Sequence, residues 1–155
     1  MMNEHNDKVR SLWVPLRDAS LLLPSVAVAE ISSYRMPTPV PGMPEWCLGT
    51  IKWSGHDIPV ISIEAVCGLS VQSNPVFSRL MIVNSVRQDS PVQHYAIVTS
   101  GLPGLIQFGP DTADRVASCT NEGLKCIVRV GNEEAIIPDL DYLQELLETE
   151  LERAA

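Results

Sequence analysis

The stretch LGTIKWSGHDIPVISI (residues 48–63) decides the fold class, because it places two β-type runs on either side of a short polar turn. LGTIKW (48–53) and IPVISI (58–63) are rich in β-branched residues, and the turn formers SGHD (54–57) separate them. This order predicts a β-hairpin. Pro59 has no backbone N–H, so we expect it at the start of its strand or on a sheet edge.

The rest of the chain repeats this arrangement of β-type runs and turns. Three more predicted hairpins are LWVPL with SLLLP (12–16, 20–24), RLMIVNSV with QHYAIVTS (79–86, 93–100) and CIVRV with EEAIIP (126–130, 133–138). Gly131 at the first position of the last turn suits type II′ geometry, which matches the twist of paired strands. Several short strands joined by turns predict an all-β sandwich or barrel and not a series of βαβ units.

The C-terminal segment DLDYLQELLETELE (139–152) predicts an acidic amphipathic helix. Its leucines recur at three- and four-residue spacing, which places Leu140, Leu143, Leu147 and Leu151 on one face. Asp139 or Asp141 would cap its first turn. We expect the leucine face to pack on the barrel, and a partner-binding helix is the alternative.

Length and charge limit the class of protein. A chain of 155 residues fits one domain, and we assign residues 1–10 to a flexible N-terminus and 11–152 to the domain. The net charge is −8, and no basic stripe suited to a phosphate backbone occurs, so no nucleic-acid partner is expected. No apolar run reaches the ~20 residues of a membrane span and no signal peptide is recognisable, so we expect a cytoplasmic protein without direct membrane insertion.

The sequence contains no pattern of catalytic or metal-binding residues. It lacks a nucleophile elbow, a Walker loop, a dinucleotide fingerprint and an H-E-x-x-H motif. The four cysteines are far apart in sequence and have no C-x-x-C spacing or nearby histidine pair, which favours buried thiols over a zinc site. We therefore predict no catalytic residue, no metal and no cofactor, and a protein that is not an enzyme.

The proline-rich stretch MPTPVPGMPEW (36–46) has three possible roles. It resembles a ligand for SH3 or WW domains, a hinge between domains, or a rigid loop within one fold. It runs from the apolar VAVAEI directly into Trp46 and a strand, whereas free ligand tracts lie in polar, disordered regions. We therefore expect a rigid internal connector.

The ordered segments LLLPSVAVAEI, TPVPGMPEWCLGTIKWSGHDIPVISIEAVCGL, RLMIVNSV, YAIVTSGLPGLIQF and CIVRVGNEEAIIPDLDYLQELL resemble the CheW family of chemosensory coupling proteins. The family pattern is an apolar strand, V-x-E-I, a proline-bearing loop, a G-x-x-N-L-R-G turn, and then P-V-I-D-L. The resemblance covers about residues 11–150. The double-leucine opening and the tryptophan-bearing turn are most similar to ChpC-type members, which are associated with pilus-linked chemosensory systems.

The resemblance implies both a fold and a function. The fold would be two intertwined SH3-like five-stranded β-barrel subdomains around a shared core, with a C-terminal amphipathic helix. The function would be a non-enzymatic scaffold that couples a CheA-type histidine kinase to the cytoplasmic tip of chemoreceptors, in a system that controls type IV pilus twitching motility if the ChpC-type similarity holds. The alternative is a small β-barrel ligand-binding or regulatory module without a kinase partner.

The family motifs select five candidate partner-binding residues. Val28 and Glu30 match the V-x-E of the receptor-facing strand, and Gly49, Ser54 and Gly55 match positions of the G-x-x-N-L-R-G turn. Three of them have a simpler structural alternative. Val28 would be a core residue, Glu30 a solvated carboxylate, and Gly55 an ordinary turn glycine.

Three positions depart from the family pattern. Lys52-Trp53-Ser54 replaces N-L-R, so the arginine that would partner Glu30 is absent. Ser62 replaces the aspartate of P-V-I-D-L, and Thr99-Ser100 replaces a valine-aspartate pair. Strand parity predicts that Lys52 does not face Glu30. Glu30 is therefore predicted to be solvated and free to meet a partner's cation, and an altered partner preference is an open alternative.

Overall fold

A computed structural model gives the fold and describes residues 9–17, 19–67, 77–109, 114–118 and 124–154. The strands are β1 (Val9–Pro15), β2 (Ser20–Pro24), β3 (Val28–Ser33), β4 (Cys47–Trp53), β5 (His56–Ile61), β6 (Arg79–Asn84), β7 (His94–Thr99), β8 (Gly104–Phe108), β9 (Asp114–Ser118), β10 (Leu124–Val130) and β11 (Glu133–Pro138). The helices are α1 (Ile63–Val66) and α2 (Leu140–Ala154), with a 3-10 turn at Ser25–Ala27. Strand β1 begins two residues before the predicted domain boundary. Residues 1–8 lie outside the described ranges, so a flexible N-terminus stays a prediction.

The strands form two mixed sheets, as expected for an all-β protein with two subdomains. Sheet 1 has the order β8-β1-β2-β11-β10-β9, and sheet 2 has the order β3-β6-β7-β5-β4. The chain leaves sheet 1 after β2, builds all of sheet 2, and then returns to complete sheet 1. Sheet 1 has six strands in the described ranges and not the predicted five, because Asp114–Ser118, which the sequence did not predict as a strand, pairs with β10 as β9. All four predicted hairpins are confirmed as antiparallel pairs.

The largest hydrophobic core contains side chains from both sheets. Leu21 and Leu23 come from sheet 1, while Met81 and Ile97 come from sheet 2, and each is at most 2% exposed. Two smaller clusters fill the individual sheets, one for sheet 2 and one for sheet 1. The largest core therefore ties the two subdomains into one unit.

Helix α2 packs on this shared core, as predicted. Leu143 and Leu147 are 1% and 0% exposed within it, whereas Leu151 is 38% exposed near the helix end. The carboxylate of Asp139 accepts a hydrogen bond of 3.0 Å from the Tyr142 N–H, so Asp139 is the N-cap. No helix in the described ranges has the length and apolar character needed to cross a membrane.

Polar contacts hold α2 to the loop between β6 and β7. The Gln144 amide is fully buried and donates 2.7 Å and 2.8 Å hydrogen bonds to the Ser90 hydroxyl and the Val92 carbonyl. Arg87 donates to Glu148 at 2.7 Å in a partly buried ion pair. Because α2 follows β11 of sheet 1 in the chain, these bonds fix sheet 2 against sheet 1.

The proline loop is anchored at two points. Thr38 and Thr50 exchange backbone hydrogen bonds of 2.8 Å and 2.9 Å, which pair the start of the loop with β4. Arg153 near the end of α2 donates a 2.8 Å bond to the Gly42 carbonyl. The loop is an ordered internal connector between β3 and β4, as predicted.

The predicted position of Pro59 is wrong. Pro59 is the fourth residue of β5, and β5 lies between β4 and β7. Thr50 lies opposite Pro59 on β4, and its backbone N–H and carbonyl are both bonded to Thr38. The Thr50 carbonyl therefore does not need a hydrogen bond from residue 59, where proline has no N–H. Parallel pairing with β7 begins only at Val60. An interior strand therefore accepts this proline without losing a ladder bond.

Tyr95 supplies a prediction about stability. Its side chain is 0% exposed in the shared core, and its hydroxyl has no hydrogen-bond partner among the described residues. Burial raises the pKa of this phenol well above its ordinary value. A buried unsatisfied hydroxyl costs ~1–3 kcal/mol, so Tyr95→Phe should raise the free energy of unfolding by about that amount in urea titrations. The control Tyr34→Phe, at a half-buried tyrosine, should change it by less than ~0.5 kcal/mol. A clear loss of stability in Tyr95→Phe would show that the hydroxyl has a partner.

Candidate functional site

A hydrogen bond between Trp53 and Glu30 joins the two outer strands of sheet 2. The Trp53 indole Nε1–H donates to the Glu30 Oε1 at 3.3 Å. Glu30 lies on β3 and Trp53 on β4, the first and last strands in the order of that sheet. Sheet 2 therefore curves until its two edges meet at this pair.

This contact corrects the prediction that Glu30 has no partner within the chain. Glu30 is exposed, as predicted, but the indole of Trp53 occupies the role that the sequence left empty. The indole is a neutral donor and does not compensate the charge of a carboxylate. A lysine or arginine would form a stronger, charge-assisted bond to Glu30. Glu30 is therefore oriented at the surface by a neutral donor, the Trp53 indole.

The parity argument for Lys52 is confirmed. Lys52 forms a 3.3 Å ion pair with Asp57, its cross-strand neighbour in the β4–β5 hairpin. The Lys52 carbonyl accepts a 2.7 Å hydrogen bond from Arg35. Both side chains of the ion pair are well exposed, so the pair adds little stability. Lysine does not replace the missing family arginine.

Ser54 and Gly55 form the exposed turn next to this site. Their φ angles are 50° and 81°, and positive φ at both central residues defines a type I′ hairpin turn. Serine is uncommon at such a position, where asparagine, aspartate or glycine is preferred. The turn places Trp53 at the last strand position, from which its indole reaches β3.

Val28 lies close to Glu30 in the chain but belongs partly to the core. It is half-buried and packs against the shared core. A register shift against β6 falls between Val28 and Glu30, which leaves Ala29 as an extra residue on β3. This bulge lets a valine that packs inward and a carboxylate at the surface occur two residues apart.

Gly49 is not part of the cluster around Glu30. It lies on β4 five residues before Ser54, which corresponds to roughly 16 Å along a strand. Its φ is 136°, and a Cβ at this position would lie 2.2 Å from the Thr38 carbonyl oxygen. The structure therefore explains this glycine by the close approach of the proline loop.

Sequence reasoning did not include Trp53 and His94 in the site. Their rings lie 4.7 Å apart between centroids, at an interplanar angle of 52°. Trp53 stands at the leucine position of the N-L-R-G motif, so the substitution itself was a visible signal. His94 begins β7, and its proximity depends on the curvature of sheet 2, which no local pattern reveals. No group of side chains in the described ranges has the composition of a metal site.

Comparison with protein families and solved structures identifies the architecture. The family model described as CheW-like domain matches residues 10–148. The chain belongs to the CheW-like family. The CheW-like fold is also found in the crystal structure of scaffolding protein TtCheW from Thermoanaerobacter tengcongensis, with a TM-score of 0.72 and 20% sequence identity. The similarity covers 86% of this chain and 90% of TtCheW. No curated protein matches the chain.

Membership in the CheW-like family accounts for the arrangement described above. The matched range begins in β1 and ends within α2, so it includes both sheets. The predicted all-β CheW-like fold with a C-terminal helix is confirmed. In this member of the family, Trp53 at the end of β4 contributes an indole donor to Glu30.

Proposed function

We propose that this CheW-like protein is a non-enzymatic scaffold in chemotaxis-type signal transduction, which couples a CheA-type histidine kinase to the cytoplasmic tip of a chemoreceptor. The observation that carries the proposal is the family match across residues 10–148, which takes in both sheets and most of α2. The structure of TtCheW, which is described as a scaffolding protein, supports it through the shared fold.

The proposed contact surface combines Glu30 with apolar residues at the margin of the shared core. A row of leucines crosses sheet 1 from the core to the edge strand β8. Leu12 on β1 lies opposite Leu23 on β2 and, on its other side, opposite Leu105 on β8. Leu23 is 2% exposed and Leu105 is 54% exposed. Val28 packs on the same core from sheet 2. An amphipathic helical hairpin would bury such an apolar margin and meet the Glu30 carboxylate with a basic side chain.

Glu30 supplies the test of this surface. A partner's lysine or arginine would form a charge-assisted bond to a carboxylate that a neutral indole now holds at 3.3 Å. Glu30→Gln keeps the shape and an acceptor for Trp53 but removes the charge. We expect Glu30→Gln and Glu30→Ala to weaken partner binding by ~2–5 kcal/mol, measured by calorimetric titration against a receptor-tip fragment and the kinase regulatory domain separately.

The same variants should leave folding nearly unchanged. An exposed polar contact contributes at most ~1 kcal/mol to the free energy of unfolding. Glu133→Gln, at an exposed glutamate on the β10–β11 hairpin, is the matched control and should not alter binding. Wild-type affinity of Glu30→Gln for both partners would remove Glu30 from the interface, and a large loss of stability would make it a structural residue.

The scaffold proposal itself requires that both partners bind. A ternary complex of this chain, a kinase regulatory domain and a receptor tip, isolated by size-exclusion chromatography, is the expected result. Binding to neither protein would favour the alternative of a regulatory module without a kinase partner.

The finer proposal, a role in type IV pilus twitching motility, rests on the similarity to ChpC-type members. Deletion of the gene should then impair twitching but not flagellar swimming.

A further inference from the structure

A cavity of about 450 Å³ lies between the β4–β5 hairpin, the proline loop, the loop before β7 and the end of α2. Trp53 and Ile58 line it from the hairpin, Met43 from the proline loop, and Leu151 from α2. Cavities that bind small molecules measure roughly 300–1,000 Å³ and are mostly apolar with a few polar groups. This cavity satisfies both conditions.

The end of α2 and the proline loop frame the cavity through contacts described above. The bond of 2.8 Å from Arg153 to the Gly42 carbonyl joins the helix to the loop, and Leu151 two residues earlier lines the space between them. Cys47 also lines it. Burial, with a smaller contribution from the Glu150 charge, raises the pKa of the Cys47 thiol, which favours its uncharged form. Cys47 therefore contributes an uncharged group to the lining.

The chemistry of the lining indicates the class of ligand. The tilted pair of Trp53 and His94 offers aromatic surface for stacking, and tryptophan is the best ring for attracting a cation. Asp57 is the acidic residue of the lining and is paired with Lys52 at 3.3 Å, and the described residues that line the cavity include neither lysine nor arginine. The chain also carries a net charge of −8. These charges favour neutral and cationic molecules over anions.

We propose that this cavity binds a small aromatic molecule that is neutral or cationic. Trp53 would be shared between two functions, because its ring lines the cavity and its N–H is bonded to Glu30. A ligand that moves the indole would change the orientation of the Glu30 carboxylate. Ligand binding in the cavity would thus alter the surface that carries Glu30.

A matched set of three naphthyl compounds tests the proposal on the isolated full chain. The probes are 2-naphthylmethylamine, 2-naphthylmethanol and 2-naphthoate, which share a ring system and differ in charge. The readout is the ¹⁵N-resolved indole N–H signal of Trp53, one of three tryptophans, assigned by its loss in Trp53→Phe. We expect a saturable shift with the amine and the alcohol, and an affinity for 2-naphthoate that is lower by roughly tenfold or more.

A variant that fills the cavity provides the second arm. Leu151 is 38% exposed, so Leu151→Trp should fold while its larger ring occupies the space, and probe affinity should fall roughly tenfold or more. Val26 is 84% exposed and does not line the cavity, so Val26→Trp should bind as the wild type does. Three outcomes would overturn the proposal: no saturable shift, equal affinity for all three probes, or unchanged affinity in Leu151→Trp. Because neither kinase nor receptor is present, these outcomes are independent of the scaffold proposal.

Discussion

Leu147→Ala should lower the free energy of unfolding by ~2–5 kcal/mol, the range for truncation of a fully buried leucine. Leu147 is 0% exposed and packs in the core that both sheets share, and Leu143 beside it is 1% exposed. Removal of either side chain leaves a cavity where α2 meets the two sheets. Urea titration followed by circular dichroism measures the loss, and Leu143→Ala should behave in the same way.

Leu151→Ala is the control on the same helix. Its side chain is 38% exposed, so truncation should cost well under the ~2 kcal/mol expected for the buried leucines. A pattern in which all three substitutions leave unfolding unchanged but abolish a complex would instead identify α2 as a partner-binding helix. That result would contradict the packing described for Leu143 and Leu147.

Gly49→Ala should destabilise the protein by ~2–6 kcal/mol, from backbone strain together with steric overlap. The φ of 136° is unfavourable for alanine, and its Cβ would lie 2.2 Å from the Thr38 carbonyl oxygen. The position of the Cβ is fixed by the backbone of residue 49 and the atom it overlaps also belongs to the backbone, so only a backbone shift can relieve the overlap. We expect the proline loop to separate from β4, with loss of the Thr38–Thr50 pair, which amide hydrogen exchange at Thr50 would detect.

Gly55→Ala separates strain from overlap. Gly55 also has a positive φ, 81°, but no atom of the described residues other than its two chain neighbours is found within 4 Å of a Cβ built there. Its substitution should therefore cost only ~1–2 kcal/mol, the cost of a left-handed backbone for alanine. Equal losses for the two variants would mean that the contact with Thr38 contributes nothing. Protection of Thr50 should be retained in Gly55→Ala.

Local patterns predicted most of the strands and the terminal helix because hairpins and amphipathic helices are encoded by neighbouring residues. The Ser54–Gly55 turn and the spacing of Leu143 and Leu147 are examples. The parallel pairs β5–β7 and β2–β11 could not be predicted from such patterns, since their strands are separated by other elements. The position of Pro59 was predicted wrongly for the same reason, because the pairing on either side of it is not local.

The candidate site was predicted only in part. Trp53 at the end of β4 contacts Glu30, Gly49 is explained by the proline loop, and partner binding by these residues stays a prediction. The missing arginine was visible in the sequence, whereas its replacement by an indole N–H depends on how far sheet 2 curves. A propensity scale assigns Trp53 to a strand and contains no information about the strand that its side chain reaches.

The parallel pair of Leu21 with Ile136 has a consequence for the order in which the protein folds during synthesis. Every strand of sheet 2 lies between Val28 and Thr99, so that sheet can assemble while the chain is still being made. Strand β2, in contrast, can complete its pairing only after β11 has been synthesised, and β11 and α2 follow all the other described elements in the chain. Until then Leu21 lacks its neighbour Ile136, and β2 presents an unpaired edge of the kind that drives aggregation. Chains that stop before β11 should therefore be cleared or aggregate in the cell, although sheet 2 is complete.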